Sequence, residues 1–219
     1  MSRCIILANG TLPDPDSARR LIRPADLILA ADGGTRHALD LGLTPSVIIG
    51  DLDSLTFDLR PLTDLGTKVI QHPRDKNETD LELALDYAIE NGQTEIIIVA
   101  ALGGRIDQAL GNLALLTDVQ RSTFNLKLDD GVEQAFFCRA HSEVEGRRGD
   151  LVSLLPWGGE VRGVRTEGLR WPLSDETLHP HKTRGISNEL LGETASVKIE
   201  SGLLLIVHRR QSEFVNRKS

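Results

Sequence analysis

Cysteine is scarce. The 219 residues hold two, Cys4 and Cys138, with no CxxC pair and no His pair beside them. That argues against a zinc site or a disulfide scaffold and leaves reduced core thiols as the expectation. Long apolar runs are missing too. The longest, Ile96-Ile97-Ile98-Val99-Ala100-Ala101-Leu102, is far short of a membrane span. The N-terminal Cys4–Ala8 run is too short for a signal-peptide core, so a cytoplasmic protein is the default expectation. There is no basic block, and the formal net charge is −7, which disfavours a nucleic-acid polymer or an anionic membrane as partner. Internal repeats, low-complexity stretches and heptads are absent, as are GxxxxGK[ST] and GxGxxG, the usual phosphate-loop and dinucleotide fingerprints.

What is present describes a globular chain. Apolar residues make up 40% and charged residues 26%, with length for one large domain or two modest ones. The acidity is uneven. Residues 1–140 carry 13 basic and 21 acidic side chains, 16 of them Asp, whereas residues 141–219 carry 12 and 11. Solubility is the plain explanation for such a bias.

The first part alternates short aliphatic runs with helical patterns. Strands are expected at Cys4–Leu7, Leu27–Ala30, Val47–Ile49, Lys68–Gln71 and Glu95–Ala100, several of them apolar on both faces, as in a parallel sheet covered by helices. A helix is expected from Thr79 to Asn91: Thr79-Asp80-Leu81-Glu82 reads as a capping box, and Leu81, Ala84, Leu85, Ala88 and Ile89 recur at helical spacing. Another should begin near Ile106, burying Ile106, Leu110, Leu113 and Ala114. Beyond about residue 140, Leu151–Leu155, Val161–Val164, Ala195–Glu200 and Leu203–Val207 are short strand-like runs, with Glu200-Ser201-Gly202 shaped like a hairpin turn between the last two. The fold class expected is α/β: a Rossmann-like layered domain with a mostly parallel sheet over residues 1–142, then a small all-β sandwich over 143–219, with Gly146–Gly149 near the boundary.

Candidate chemistry gathers at the strand ends. In Gly50-Asp51-Leu52-Asp53-Ser54, an extended chain would send the carboxylates of Asp51 and Asp53 to one side. Two hard oxygen ligands beside a glycine suit Mg²⁺ with phosphate oxygens; a turn-and-cap role is the alternative. Asp75-Lys76-Asn77-Glu78-Thr79-Asp80 precedes a helix. Its acids could serve that helix alone, or Asp80 could join Asp51 and Asp53 around a cation bridging nucleotide phosphates, with Lys76 on the phosphates. In Gly103-Gly104-Arg105-Ile106-Asp107, the glycines let backbone N–H groups close on an anion and Arg105 offers a planar fork. A similar turn, Asp32-Gly33-Gly34, follows the second strand, and Asn9-Gly10 the first. A phosphate-handling enzyme with a divalent ion fits best.

In order and spacing, Asp32-Gly33-Gly34, Gly50-Asp51-Leu52-Asp53-Ser54, Asp75-Lys76 with Thr79-Asp80, and Gly103-Gly104-Arg105-Ile106-Asp107 with Asn112 resemble the thiamine pyrophosphokinase family. Thr166-Glu167-Gly168-Leu169-Arg170-Trp171-Pro172-Leu173 and Gly185-Ile186-Ser187-Asn188-Glu189 resemble its thiamine-binding β domain. The resemblance implies transfer of the terminal diphosphate of ATP to the thiamine hydroxyl with release of AMP, Mg²⁺ dependence, and a homodimer with thiamine between subunits. It implies Asp51, Asp53 and Asp80, with Asp75, as metal ligands and Arg105 as a phosphate contact. Asp107 would orient ATP or the hydroxyl, Asp32, Lys76, Gly103, Gly104 and Asn112 would lie on the nucleotide side, and Trp171, Ser187 and Asn188 would meet thiamine. Asn77 stands where many members carry Asp, and Gln108 where bacterial members carry His, so neither is given a role. A diphosphokinase for another hydroxymethyl heterocycle such as a pterin, and a non-catalytic thiamine or nucleotide sensor, are the rival readings.

Overall fold

A computed structural model describes residues 2–118 and 124–211. Its internal contacts divide the chain into two compact units, Met1–Gly131 and Val132–Ser219.

The first unit alternates strands and helices: β1 (Arg3–Leu7), α1 (Pro15–Arg19), β2 (Leu27–Ala31), α2 (Gly34–Asp40), β3 (Val47–Gly50), α3 (Arg60–Asp64), β4 (Lys68–Gln71), α4 (Asp80–Glu90), β5 (Glu95–Val99), α5 (Ile106–Leu115) and β6 (Asn125–Asp129). The strand order is β6-β5-β1-β2-β3-β4, and each of these pairings is parallel. The aliphatic runs form the sheet centre because they can be buried on both faces: Cys4, Ile5, Ile6 and Leu7 are each 0% exposed. Each Ile or Leu so placed contributes roughly 1.5–3 kcal/mol by leaving water. Burial also pushes the Cys4 thiol up to about 12, and both cysteines are free, as expected of core thiols.

Helix α4 begins where the capping residues put it, with the Thr79 hydroxyl accepting from the Glu82 N–H at 3.2 Å. It buries Leu81, Ala84, Leu85 and Ala88 against β1, β2 and β3. Helix α5 departs from expectation. Its apolar spacing is helical, yet Ile106 is 78% and Leu110 53% exposed, Ala114 is exposed as well, and the buried residue of the helix is Asn112. The stripe is there, but among the described residues nothing in this unit covers it. Strands β1 and β5 are neighbours from which the order runs outward in opposite directions. That is a topological switch point, where an open α/β sheet offers a crevice at its carboxyl edge.

The second unit contains β7 (Glu133–Cys138), β8 (His141–Glu145), β9 (Leu151–Pro156), β10 (Val161–Glu167), β11 (Ser174–Leu178), β12 (Asn188–Glu189), β13 (Thr194–Lys198) and β14 (Leu204–Arg209). They form two antiparallel arrays, β12-β9-β14-β7 and β11-β10-β13-β8. Val144, Val164, Ala195 and Val197 of one array share a core with Val152, Leu154, Leu204 and Ile206 of the other, which makes the unit a sandwich. The turn at residues 200–202 is not a hairpin. Strand β13 pairs with β8 and β10, whereas β14 pairs with β7 and β9, so this turn carries the chain from one array to the other. Both strands present alternate apolar residues to the same core, and two such strands can face each other across it rather than lie side by side.

Candidate active site

Backbone strain in the first unit concentrates at strand ends. Asp32 (φ 43°), Leu52 (φ 66°) and Ala100 (φ 55°) are non-glycine residues in the left-handed region, just after β2, β3 and β5 respectively. Such conformations cost free energy and persist where the surroundings over-determine them. At Asp32 the cause is visible: its N–H donates to the Ile49 carbonyl at 2.8 Å, and its own carbonyl accepts from the Thr35 N–H at 3.0 Å and the Thr35 hydroxyl at 2.7 Å. The turn turns a buried carboxylate toward the chain after β3.

There it meets two others. One oxygen each from Asp32, Asp51 and Asp80 lies within 4.8 Å of the others. At an effective dielectric of about 20, like charges at that range repel by roughly 3 kcal/mol per pair, so the cluster calls for a cation. Asp32 is 6% exposed, and its Oδ1 is buried with no hydrogen-bond partner. Gly50 (φ 155°) leaves the space the cluster needs, since a Cβ there would lie 2.9 Å from Asp32 Cβ and 3.1 Å from Asp80 Cγ. Hard oxygen donors, an unsatisfied buried carboxylate oxygen and a side-chain-free wall fit a small divalent ion such as Mg²⁺.

Lys76 brings a positive charge to the cluster, with Nζ 2.8 Å from Asp80 Oδ1. Partial burial would lower the Lys76 pKa, but the bond to Asp80 and the fields of Asp80, Asp51 and Asp32 outweigh it and hold the ammonium more firmly protonated than usual.

The cluster opens on a cavity of about 570 Å³ at the switch point, lined by Asn9–Thr11, Asp32, Lys76, Thr79–Leu81, Gly103–Arg105, Gln108 and Asn112 among others. Gly103 and Gly104 both have positive φ, 83° and 71°, and a Cβ on Gly103 would strike the Thr11 hydroxyl. Asn112 lines the cavity but also donates from Nδ2 to the Ala101 carbonyl at 2.7 Å, fastening α5 to the end of β5. Arg105 forks onto Asp107, Nε to Oδ1 at 3.1 Å and a terminal nitrogen to Oδ2 at 2.5 Å. This pairing holds the exposed Asp107 carboxyl below its ordinary range.

Asp53 and Asp75 stand apart. The expectation that Asp51 and Asp53 share a side assumed an extended chain, and the left-handed Leu52 between them breaks the alternation. Asp53 instead donates its N–H to Asp51 Oδ1 at 3.2 Å and turns Oδ2 toward Arg74 Nε at 3.5 Å. Asp75 is exposed and outside the cluster. Asp32, expected only on the nucleotide side, takes their place. Thr11 and Arg74 also line the cavity without any motif to announce them; the signal that could have found them is position alone, in loops at the carboxyl edge of the sheet. Gln108, given no role from the sequence, lines it too, from the first turn of α5.

In the second unit, Asn188 Oδ1 accepts from the N–H groups of Trp171 (3.0 Å) and Glu189 (2.9 Å), and its Nδ2 donates to the Trp171 carbonyl at 2.7 Å. The amide expected to meet a ligand is thus largely committed to the Trp171 backbone. Trp171 itself is 47% exposed, with the Arg170 guanidinium 5.0 Å from its ring centroid. Ser187 is held in the left-handed region (φ 58°), its N–H donating to the Ser153 hydroxyl at 3.0 Å.

Known proteins share this organisation. Residues 18–128 match the family described as thiamin pyrophosphokinase, catalytic domain, and residues 141–204 the thiamin pyrophosphokinase vitamin B1 binding domain. The chain is 31% identical over 205 residues to thiamine pyrophosphokinase 1 of Arabidopsis thaliana, covering 82% of this chain and 77% of that one. It is 28% identical over 184 residues to thiamine pyrophosphokinase of Bacillus subtilis, covering 83% and 86% respectively. The crystal structure of thiamine pyrophosphokinase from Bacillus subtilis superimposes with a TM-score of 0.86 at 25% identity, covering 96% of this chain and all of that one.

Proposed function

The chain belongs to the thiamine pyrophosphokinase family, and from that premise we propose that it transfers the terminal diphosphate of ATP to the hydroxyl of thiamine. The hydroxyl oxygen forms a bond to the β-phosphorus, the bond from that phosphorus to the oxygen bridging the α-phosphate breaks, AMP departs, and the hydroxyl proton passes to solvent. The observation that carries this reading is the Asp32–Asp51–Asp80 cluster, with its unsatisfied buried Asp32 Oδ1, two of whose members, Asp32 and Asp80, line a cavity of about 570 Å³. Mg²⁺ held by these three carboxylates would neutralise phosphate oxygens while charge redistributes during transfer.

The chain's own residues do the positioning. Lys76 and Arg105 bind phosphate oxygens, and the N–H groups of the Gly103-Gly104 turn close on them. Asp107 fixes the fork of Arg105, and Asn112 holds α5 against the strand end from which that turn springs. Asp53 steers Arg74 at the rim. In the second unit the Trp171 indole face receives the thiazolium cation, Asn188 fixes the Trp171 backbone, and the Ser187 hydroxyl offers a hydrogen bond to the aminopyrimidine.

A homodimer belongs to the same reading. The uncovered Ile106–Leu110 stripe of α5 is an apolar surface of the kind that subunits bury. Among the described residues no helix is long and apolar enough to cross a membrane. Exchange of acceptors tests the substrate assignment: AMP released from ATP should depend on thiamine, while a hydroxymethylpterin should release none. Release with the pterin alone would overturn the assignment, and retained nucleotide affinity without any turnover would point to a sensor.

A further inference from the structure

We propose that Lys76 is an exchangeable counter-ion: in the free protein its ammonium neutralises the Asp32–Asp51–Asp80 cluster, and a divalent cation entering that cluster displaces it into the cavity, where it meets phosphate. The proposal rests on the reading that the cluster takes such a cation, not on the identity of the acceptor. The contact carrying it is Lys76 Nζ at 2.8 Å from Asp80 Oδ1, a buried oxygen that a Cβ on Gly50 would approach to 3.2 Å, on one of the three carboxylates of the cluster. The Lys76 side chain is 12% exposed, so it occupies this place by packing as well as by charge. An ammonium and a divalent ion held by the same small carboxylate cluster repel each other strongly, so the two compete for its charge. The lysine is the mobile partner, having a flexible stem and a point charge. Its way out leads into the cavity it already lines, toward the Gly103-Gly104 turn and Arg105. Loading the cation therefore also arms a phosphate contact, so that a cluster without its ion does not present Lys76 to a nucleotide.

The test uses Mn²⁺ and the full-length protein without nucleotide. Calorimetric titration should show Lys76→Gln binding Mn²⁺ about fivefold to tenfold more tightly than wild type, as expected for removal of a competing partly buried ion pair. Lys76→Arg should stay near wild type. In the wild-type protein, trace acetylation read by mass spectrometry should find Lys76 more reactive with Mn²⁺ present and Lys68 unchanged. Unchanged or weaker Mn²⁺ binding by Lys76→Gln, absence of binding to every variant, or a Lys76 reactivity that stays level or falls would each overturn the exchange. If Lys76→Gln does not fold, the labelling of the wild type decides. Tighter Mn²⁺ binding without AMP formation by wild type would reject the diphosphokinase reading and leave the exchange standing; the reverse pair of results would reject the exchange alone.

Discussion

Asn188 clamps the backbone of Trp171 from both sides, its Oδ1 accepting from the Trp171 N–H at 3.0 Å and its Nδ2 donating to the Trp171 carbonyl at 2.7 Å. Since Asn188 is 5% exposed and Trp171 is 47% exposed, a buried amide is holding a partly solvent-facing ring. Replacing Asn188 by Ala leaves the Trp171 N–H and carbonyl without this partner and should cost about 1–3 kcal/mol of stability. Thiamine KM should rise with little change in kcat. Trp171→Ala should raise that KM by about tenfold through loss of the cation–π face. Denaturant melts and steady-state kinetics with thiamine varied check both; a kcat loss without a KM change in either variant would contradict the assignment.

Asp32 and Asp53 make the sharpest contrast in the first unit. Asp32→Asn should lower kcat/KM by about 100-fold or more, because it removes a carboxylate from the cluster proposed to hold the divalent ion. Asp53→Asn, which loosens an exposed pairing with Arg74, should cost less than about tenfold. Equal losses would put Asp53 back among the metal ligands.

That contrast also marks how far the sequence could be read. Parallel strands were legible because Cys4–Leu7 and Ile96–Val99 are apolar without interruption, and α4 because its cap and its buried spacing agree. The Asp51–Asp53 geometry was not, because it turns on the φ of Leu52, and no pattern of residue types encodes one left-handed residue. The sequence places Asp32 on the nucleotide side but not beside Asp51 and Asp80, because that nearness depends on the parallel pairing of β2 with β3. Strand β8, His-Ser-Glu-Val-Glu, buries only Val144 of its five residues, too little for an apolar run to show. Helix α5 is legible as a helix but its exposure is not, because periodicity reveals a stripe and not its partner.

The α5 stripe gives a prediction of its own. Ile106→Asp combined with Leu110→Asp should convert a dimer to a monomer in sedimentation experiments while leaving the circular dichroism spectrum unchanged, since both side chains are exposed in the isolated chain. A dimer that persists would place the interface elsewhere.

Acid sensitivity of the second unit should centre on Asp150. Burial pushes its carboxyl pKa up, but N–H groups of Gln211 and Arg147 and the His208 ring at 3.0 Å outweigh that, and the net shift is downward. A carboxyl depressed in the folded state stabilises above its unfolded pKa of about 4 and loses that contribution as pH falls through the lower folded value. Asp150→Asn should therefore lower the melting temperature at neutral pH and flatten its decline below about pH 4. Parallel declines in variant and wild type would contradict this.

Diphosphate transfer requires attack at the β-phosphorus of ATP rather than the γ-phosphorus. With ATP, thiamine and Mg²⁺ supplied together, phosphorus NMR should show AMP and thiamine diphosphate accumulating in equal amounts, and neither when thiamine or the divalent ion is left out. ADP with thiamine monophosphate, or no thiamine-dependent AMP from folded protein with any of several divalent ions, would contradict it.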